Sequence, residues 1–171
     1  MRIIFVPGIK TWKFYLDGWK KDLAQHFADD ERIFLDDFMY LHFEYKKLEK
    51  IIAQGVKLLD DGKPTIIIAH SFGGILAKTM IDRSKHHKVQ KLITMASPHK
   101  MVLWGVRKTK TYLQTPACVD VPTQTFGGYM DSIVPFYQTG VKNAPHKTLW
   151  SFHLGFLLSS KIRNKVIQSS L

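Results

Sequence analysis

The sequence contains one cysteine, Cys118, in 171 residues. No intrachain disulfide can form, and a cysteine-built metal cluster is excluded. Acidic residues almost vanish from the second half. Residues 83–171 carry 13 Lys/Arg against Asp120 and Asp131 alone, whereas residues 1–82 carry 12 of each sign. The whole net charge of +11 therefore lies after residue 82. A field of that sign favours an anionic surface or an acidic substrate. A solvated lysine-rich face accounts for the same charge without any partner. No apolar run approaches the ~20 residues of a membrane-crossing helix. The opening "MRIIFVPGIK" lacks the apolar core and cleavage site of a signal peptide, so a cytoplasmic location is expected. Three nucleotide and metal motifs are also missing. A dinucleotide-binding oxidoreductase needs G-x-G-x-x-G after its first strand, and that place reads "PGIKTW". Neither G-x-x-x-x-G-K-[ST] nor H-E-x-x-H occurs. No metal or organic cofactor is implied. No nucleic-acid module is recognised, so no nucleic-acid partner is expected.

The remaining composition, 45% hydrophobic and 12% aromatic, is that of a chain able to build a core. The length fits one domain spanning 1–171. "RIIFV" (2–6) reads as a buried strand ended by Pro7-Gly8. Leu16, Trp19, Leu23 and Phe27 recur at helical spacing around 17–27, and "RIFLDDF" (32–38) is a second strand candidate. Residues 44–59 place Leu48, Ile51, Ile52, Gly55, Val56 and Leu59 on one stripe. Strand candidates follow at 65–69, 89–96, 121–126 and 147–152. A helix over 72–83 and one closing the chain from about Gly155 complete the pattern. In the last, Leu158, Ile162 and Val166 stand at i, i+4 spacing. Continuous apolar strands alternating with helices predict a three-layer α/β/α sandwich around a mostly parallel sheet.

In such a sheet, sites form beyond the carboxyl ends of the strands. Ser71 stands there, in Ala69-His70-Ser71-Phe72-Gly73, a G-x-S-x-G pattern with Ala at the first position. Small outer residues allow a tight strand-to-helix turn that pushes the hydroxyl into the open. A helix N-cap is the competing role for this serine. A hydroxyl nucleophile needs a base and an orienting acid. In the order Ser, acid, His, only Asp82, Asp120 and Asp131 can supply the acid. Asp82 lies inside the helix that Ser71 starts, and Asp120 precedes its strand. Asp131 follows the strand 121–126, behind a turn at Gly127-Gly128, at the end where Ser71 emerges. A turn aspartate is the alternative. Of the histidines after Asp131, His146 precedes the last strand and His153 follows it, which places His153 at the site. A packed loop histidine is its alternative. His26, His42, His86, His87 and His99 read as surface or structural.

"VPG" after the first strand, "AHSFGG", "ASPH", "GGYMDSIVP" and "FHLGFL" occur in that order over residues 5–158. With them the chain resembles the α/β-hydrolase family, specifically its small lipase- and esterase-like members without a cap domain. The resemblance implies a minimal α/β-hydrolase fold and a serine hydrolase of carboxylic esters. Ser71 would be nucleophile, His153 base and then acid, and Asp131 the orienting carboxylate. The backbone N–H groups of Ile9 and Phe72 would form the oxyanion hole. Two departures from the family pattern bear on the pocket: Pro7-Gly8 where His-Gly is frequent, and no glycine near Ser97-Pro98-His99. A thioesterase or amidase would use the same three residues. A non-catalytic binding protein on this fold is the other alternative. Trp12 with Phe14 and Tyr15, and Tyr40 with Met39 and Leu41, could line an acyl pocket or simply pack. The expected substrate is a small-molecule ester or lipid, and residues 101–113 could form a lid touching an anionic interface or a short connecting helix with a wet basic side.

Overall fold

The computed structural model describes residues 1–9, 11, 13–35, 45–100 and 120–170, with only the backbone of 45 and 46. Six strands form its sheet: β1 (Arg2–Val6), β2 (Glu31–Phe34), β3 (Pro64–His70), β4 (Lys88–Met95), β5 (Thr123–Gly128) and β6 (His146–Leu149). Their order is β2-β1-β3-β4-β5-β6, and every pairing is parallel. The β1–β3 register runs from Arg2 opposite Thr65 to Val6 opposite Ala69. Parallel strands need crossovers: α1 (Lys13–His26) links β1 to β2, α2 (Tyr45–Leu59) β2 to β3 and α3 (Gly73–Arg83) β3 to β4, while α4 (Gly155–Leu158) and α5 (Ser160–Gln168) follow β6.

Side-chain alternation splits the core into two layers. Ile4, Val6, Ile67 and Ala69 face α2 and α3, where they meet Leu48, Ile51, Ile52, Leu76 and Met80. Ile3, Phe5, Ile66 and Ile68 face the other way, onto Leu16, Trp19, Leu23, Phe156 and Val166 of α1, α4 and α5. The α1 stripe expected from its spacing is fully realised: Leu16, Trp19, Leu23 and Phe27 are all buried. The three-layer α/β/α sandwich is thus the observed architecture.

Five boundaries differ from the expectation by more than one residue. The last strand, expected over 147–152, is β6 and ends at Leu149. The helix foreseen over 17–27 begins earlier, at Lys13. β2 ends at Phe34, and residues 36–38 of its expected span lie outside the described residues. β5 runs two residues later than 121–126 and takes in Gly127 and Gly128; the turn comes after them, at Tyr129 and Met130, where Asp131 N donates to the Gly128 carbonyl at 3.2 Å. The cause is crowding: a Cβ on Gly127 would stand 2.6 Å from Thr139 Oγ1, and one on Gly128 2.5 Å from the Ser151 carbonyl. Such close approaches are a reason for glycine inside a strand. The closing helix is two helices. Ser159 breaks it and accepts a hydrogen bond from Ile162 N at 3.4 Å, which caps α5. Leu158 is therefore exposed, while Val166 stays buried.

The second layer is tied across the chain. Trp19 Nε1 donates to the Phe156 carbonyl at 3.0 Å. Arg163 Nε donates to Asp22 Oδ2 at 2.6 Å, and its Nη1 donates to the carbonyls of Leu157 and Leu158. This buried ion pair anchors the α4–α5 junction on α1.

The chain leaves β1 for β2 on one side, then returns past β1 to β3 on the other. The crevice of an open sheet opens at such a reversal. Here the backbones nearly touch. A Cβ on Gly73 would collide with Val6 O and stand 2.6 Å from Pro7 O. We expect Gly73→Ala to destabilise by about 1–3 kcal/mol, because neither obstacle is a movable side chain. Gly140→Ala, whose nearest new neighbour is the flexible Lys100 Nζ at 3.5 Å, should stay within about 0.5 kcal/mol of wild type. Urea denaturation midpoints check both.

Candidate active site

β3 ends at His70, and Ser71 follows with a φ of 53° before α3 begins at Gly73. A left-handed serine costs about 1–3 kcal/mol unless its surroundings enforce it. They do so from both sides. Ser71 N donates to the Met95 carbonyl at 2.8 Å, which extends the β3–β4 ladder past the strand. Gly8, in the turn after β1, lies so close that its Cβ would stand 2.7 Å from Ser71 Cβ and 3.3 Å from Ser71 Oγ. The cap position of α3 is Phe72, without a side-chain cap hydrogen bond. The Ser71 hydroxyl therefore does not cap the helix.

It meets His153 instead. Ser71 Oγ lies 2.9 Å from His153 Nε2, and His153 Nδ1 lies 2.8 Å from Asp131 Oδ2. A carboxylate only accepts hydrogen bonds, so Nδ1 carries the proton and Nε2 presents a lone pair to the serine hydroxyl. The Asp131 side chain is fully buried. Its other oxygen, Oδ1, accepts from Ile133 N at 2.9 Å and Val134 N at 2.8 Å. Those bonds compensate the buried charge and hold the loop beyond β5 in an aspartate-centred turn. The β6 side of the site is zipped to it: Tyr129 N donates to the Leu149 carbonyl and Met130 N to that of Ser151.

Of the residues singled out in the sequence, Ser71, His153 and Asp131 come together. Phe72 follows Ser71 and is buried; Ile9 follows Gly8 and packs on the α2–α3 layer of the core. Trp12, Tyr40 and the stretch 101–113 lie outside the described residues. Phe14 is largely exposed, with its ring centroid 4.0 Å from that of Tyr15.

One contributor escapes sequence reasoning. His70 Nε2 donates to the His153 carbonyl at 3.1 Å, and the two rings lie 4.9 Å apart. Burial, reinforced by the neighbouring His153, pushes the His70 pKa down to about 3. His70 is thus a neutral donor that holds the backbone of the loop carrying His153. Its position at the end of β3, inside the elbow motif, was the available signal. His99, read as structural, is nearly buried and shares a 2.9 Å hydrogen bond with Thr94 Oγ1. Desolvation, then Lys78 and His146, push its pKa down to about 3 as well.

A family model described as "PGAP1-like alpha/beta domain" matches residues 14–119. No curated protein matches the sequence. Among solved structures, MGS-MChE2 is described as an alpha/beta hydrolase enzyme from the metagenome of sediments of the Mar Chica lagoon, Morocco. It is 14% identical and superposes with a TM-score of 0.72 over 99% of this chain and 90% of its own. A thermophilic esterase from Thermogutta terrifontis gives 0.70 at 10% identity over 99% and 89%. The RedJ thioesterase of the prodiginine pathway in Streptomyces coelicolor gives 0.63 at 14% over 99% and 89%. At these identities the superpositions establish the shared fold.

Burial and then Lys100 push the His146 pKa down too, and the depressed histidines set a sign for stability against pH. Between pH ~6.5 and ~3 the unfolded chain binds protons at His70 and His99 that the folded chain refuses. Stability should therefore fall as pH drops below ~6.5, by up to about 1.4 kcal/mol per pH unit for each group. Urea midpoints across that range should decline less steeply in His99→Gln, which removes one of these titrations.

Proposed function

This chain belongs to the PGAP1-like alpha/beta domain family, within the α/β-hydrolase fold, and from that premise we propose that it is a serine hydrolase of carboxylic esters. Ser71 is the nucleophile in this reading, His153 the general base and Asp131 its orienting carboxylate. The observation that carries it is the unbroken relay from Ser71 Oγ to His153 Nε2, at 2.9 Å, and from His153 Nδ1 to Asp131, at 2.8 Å.

The chemistry follows from that relay. Ser71 Oγ attacks the ester carbonyl carbon while His153 Nε2 takes the hydroxyl proton. Asp131 stabilises the imidazolium that results. Negative charge develops on the former carbonyl oxygen, which faces the N–H groups of Phe72 and Ile9. Each such donor is worth roughly 3–4 kcal/mol in acyl transfer. Collapse breaks the C–O bond, and His153 returns its proton to the departing alcohol. Water, deprotonated by His153, then attacks the acyl-enzyme; the acid leaves and Ser71 regains its proton. A thiol leaving group fits the same steps, and the likeness to a thioesterase supports trying both classes.

Intact-mass spectrometry after treatment with a fluorophosphonate probe tests the reading. We expect one adduct on wild type and none on Ser71→Ala. Asp131→Asn should label far more slowly, with kcat on a responsive ester down roughly 10⁴-fold, because the amide favours the wrong imidazole tautomer. A folded wild-type chain that takes no adduct overturns the proposal.

A further inference from the structure

Large apolar side chains left in solvent are concentrated at one end of this molecule. Among the described residues, nine are exposed, and seven of these follow the carboxyl end of a strand. Phe14 follows β1. Tyr129, Met130, Ile133 and Tyr137 follow β5, and Trp150 and Phe152 follow β6. Each of the seven is more than half exposed, and Trp150 reaches 76%. This is the end at which Ser71 emerges, and the β5 and β6 loops are the ones that carry Asp131 and His153.

Three of the aromatic members, Tyr129, Tyr137 and Trp150, form a continuous platform with Phe136. Tyr129 stacks on Trp150 with centroids 5.2 Å apart and on Phe136 at 5.6 Å; Tyr137 meets Phe136 edge-on at 5.7 Å. Stacking fixes these rings, so the platform is a shaped surface rather than loose side chains. An apolar patch of this kind on a chain in water marks an interaction site. Its charge is also one-sided. Lys100, exposed beyond the carboxyl end of β4, donates its backbone N–H to the Gln138 carbonyl next to Tyr137. The one acid of residues 129–153, Asp131, is buried against His153 and shows no charge to an approaching partner.

We propose that this platform docks on an anionic phospholipid bilayer, with the mouth of the Ser71 site turned toward the lipid. Exposed Trp and Tyr suit the headgroup boundary, where one edge of the ring is apolar and the other wet. Lys100 beside them complements anionic headgroups. The lysine and arginine excess after residue 82 adds long-range attraction of the same sign. The proposal deepens the hydrolase reading, since an occupant seated around Ser71 is also the natural source of an acyl substrate. The docking itself requires no turnover.

The test is co-sedimentation of the Ser71→Ala chain with vesicles of phosphatidylcholine alone and with phosphatidylglycerol added. We expect binding to the anionic vesicles, weakening as salt is raised, and little to the neutral ones. In the same background, Trp150→Ser and Tyr137→Ser together should lower the partition coefficient by about tenfold or more. Both side chains are largely in solvent, so the variant should keep its circular dichroism; Trp150→Ser alone is the fallback if it does not. No binding to anionic vesicles overturns the proposal, as does equal binding to neutral ones or undiminished binding by the folded variant. A dimer seen by light scattering that the variant abolishes, without vesicle binding, assigns the platform to a second copy and also overturns it. Fluorophosphonate labelling of wild type without vesicles reads the serine separately. Labelling without vesicle binding removes the docking surface and leaves the hydrolase, whereas binding without labelling does the reverse.

Discussion

The close approach of the end of β1 to the elbow after β3 is the constraint on which the site depends. Gly8 lies against Ser71, and Gly73 lies against the carbonyls of Val6 and Pro7. No side chain fits in either gap. The parallel register of β1 and β3 brings the two strand ends level, with Val6 opposite Ala69. The serine then has one way out of the strand, through a left-handed φ that other sequences avoid. The strain and the exposure of the hydroxyl have the same origin. The glycines are there because two backbones meet, and the serine is reachable because of the turn they permit.

The second requirement is electrostatic. The site holds one fully buried carboxylate, Asp131, in a chain with an excess of positive charge. Two backbone N–H groups and one imidazole N–H satisfy it. The histidine is in turn restrained at three levels. Its ring is held by Asp131, its carbonyl by His70, and the helix that follows by Trp19. His70 serves because it stays neutral: a charged imidazole there would repel His153 whenever that ring took up a proton.

Much of this was legible in the sequence, and what was not has identifiable causes. The stripe of Leu16, Trp19, Leu23 and Phe27 and the apolar run 65–69 are strong signals because every member is buried. Ser71, Asp131 and His153 could be picked out by which end of a strand each one leaves. Gly127 and Gly128 misled, since a glycine pair suggests a turn unless the neighbouring backbone can be seen pressing on it. Ser159 was hidden in an apolar rhythm that runs on through it, and only its bond to Ile162 N reveals the break. His70 sat within the motif that identified Ser71, but its bond crosses to a loop 83 residues away. The platform of Tyr129 and Trp150 could not be foreseen, because these residues resemble ordinary core residues until the β5 and β6 loops are laid side by side.

The ion pair between Asp22 and Arg163 joins positions 141 residues apart. During synthesis, β1, α1, β3 and the elbow serine are all available well before Arg163 leaves the ribosome. A growing chain can therefore bend its serine into place long before the α4–α5 junction has anything to fasten it to α1. The Ser71–His153 contact spans 82 residues, so in the proposed hydrolase the hydroxyl would meet its base only after the segment beyond β6 has been made.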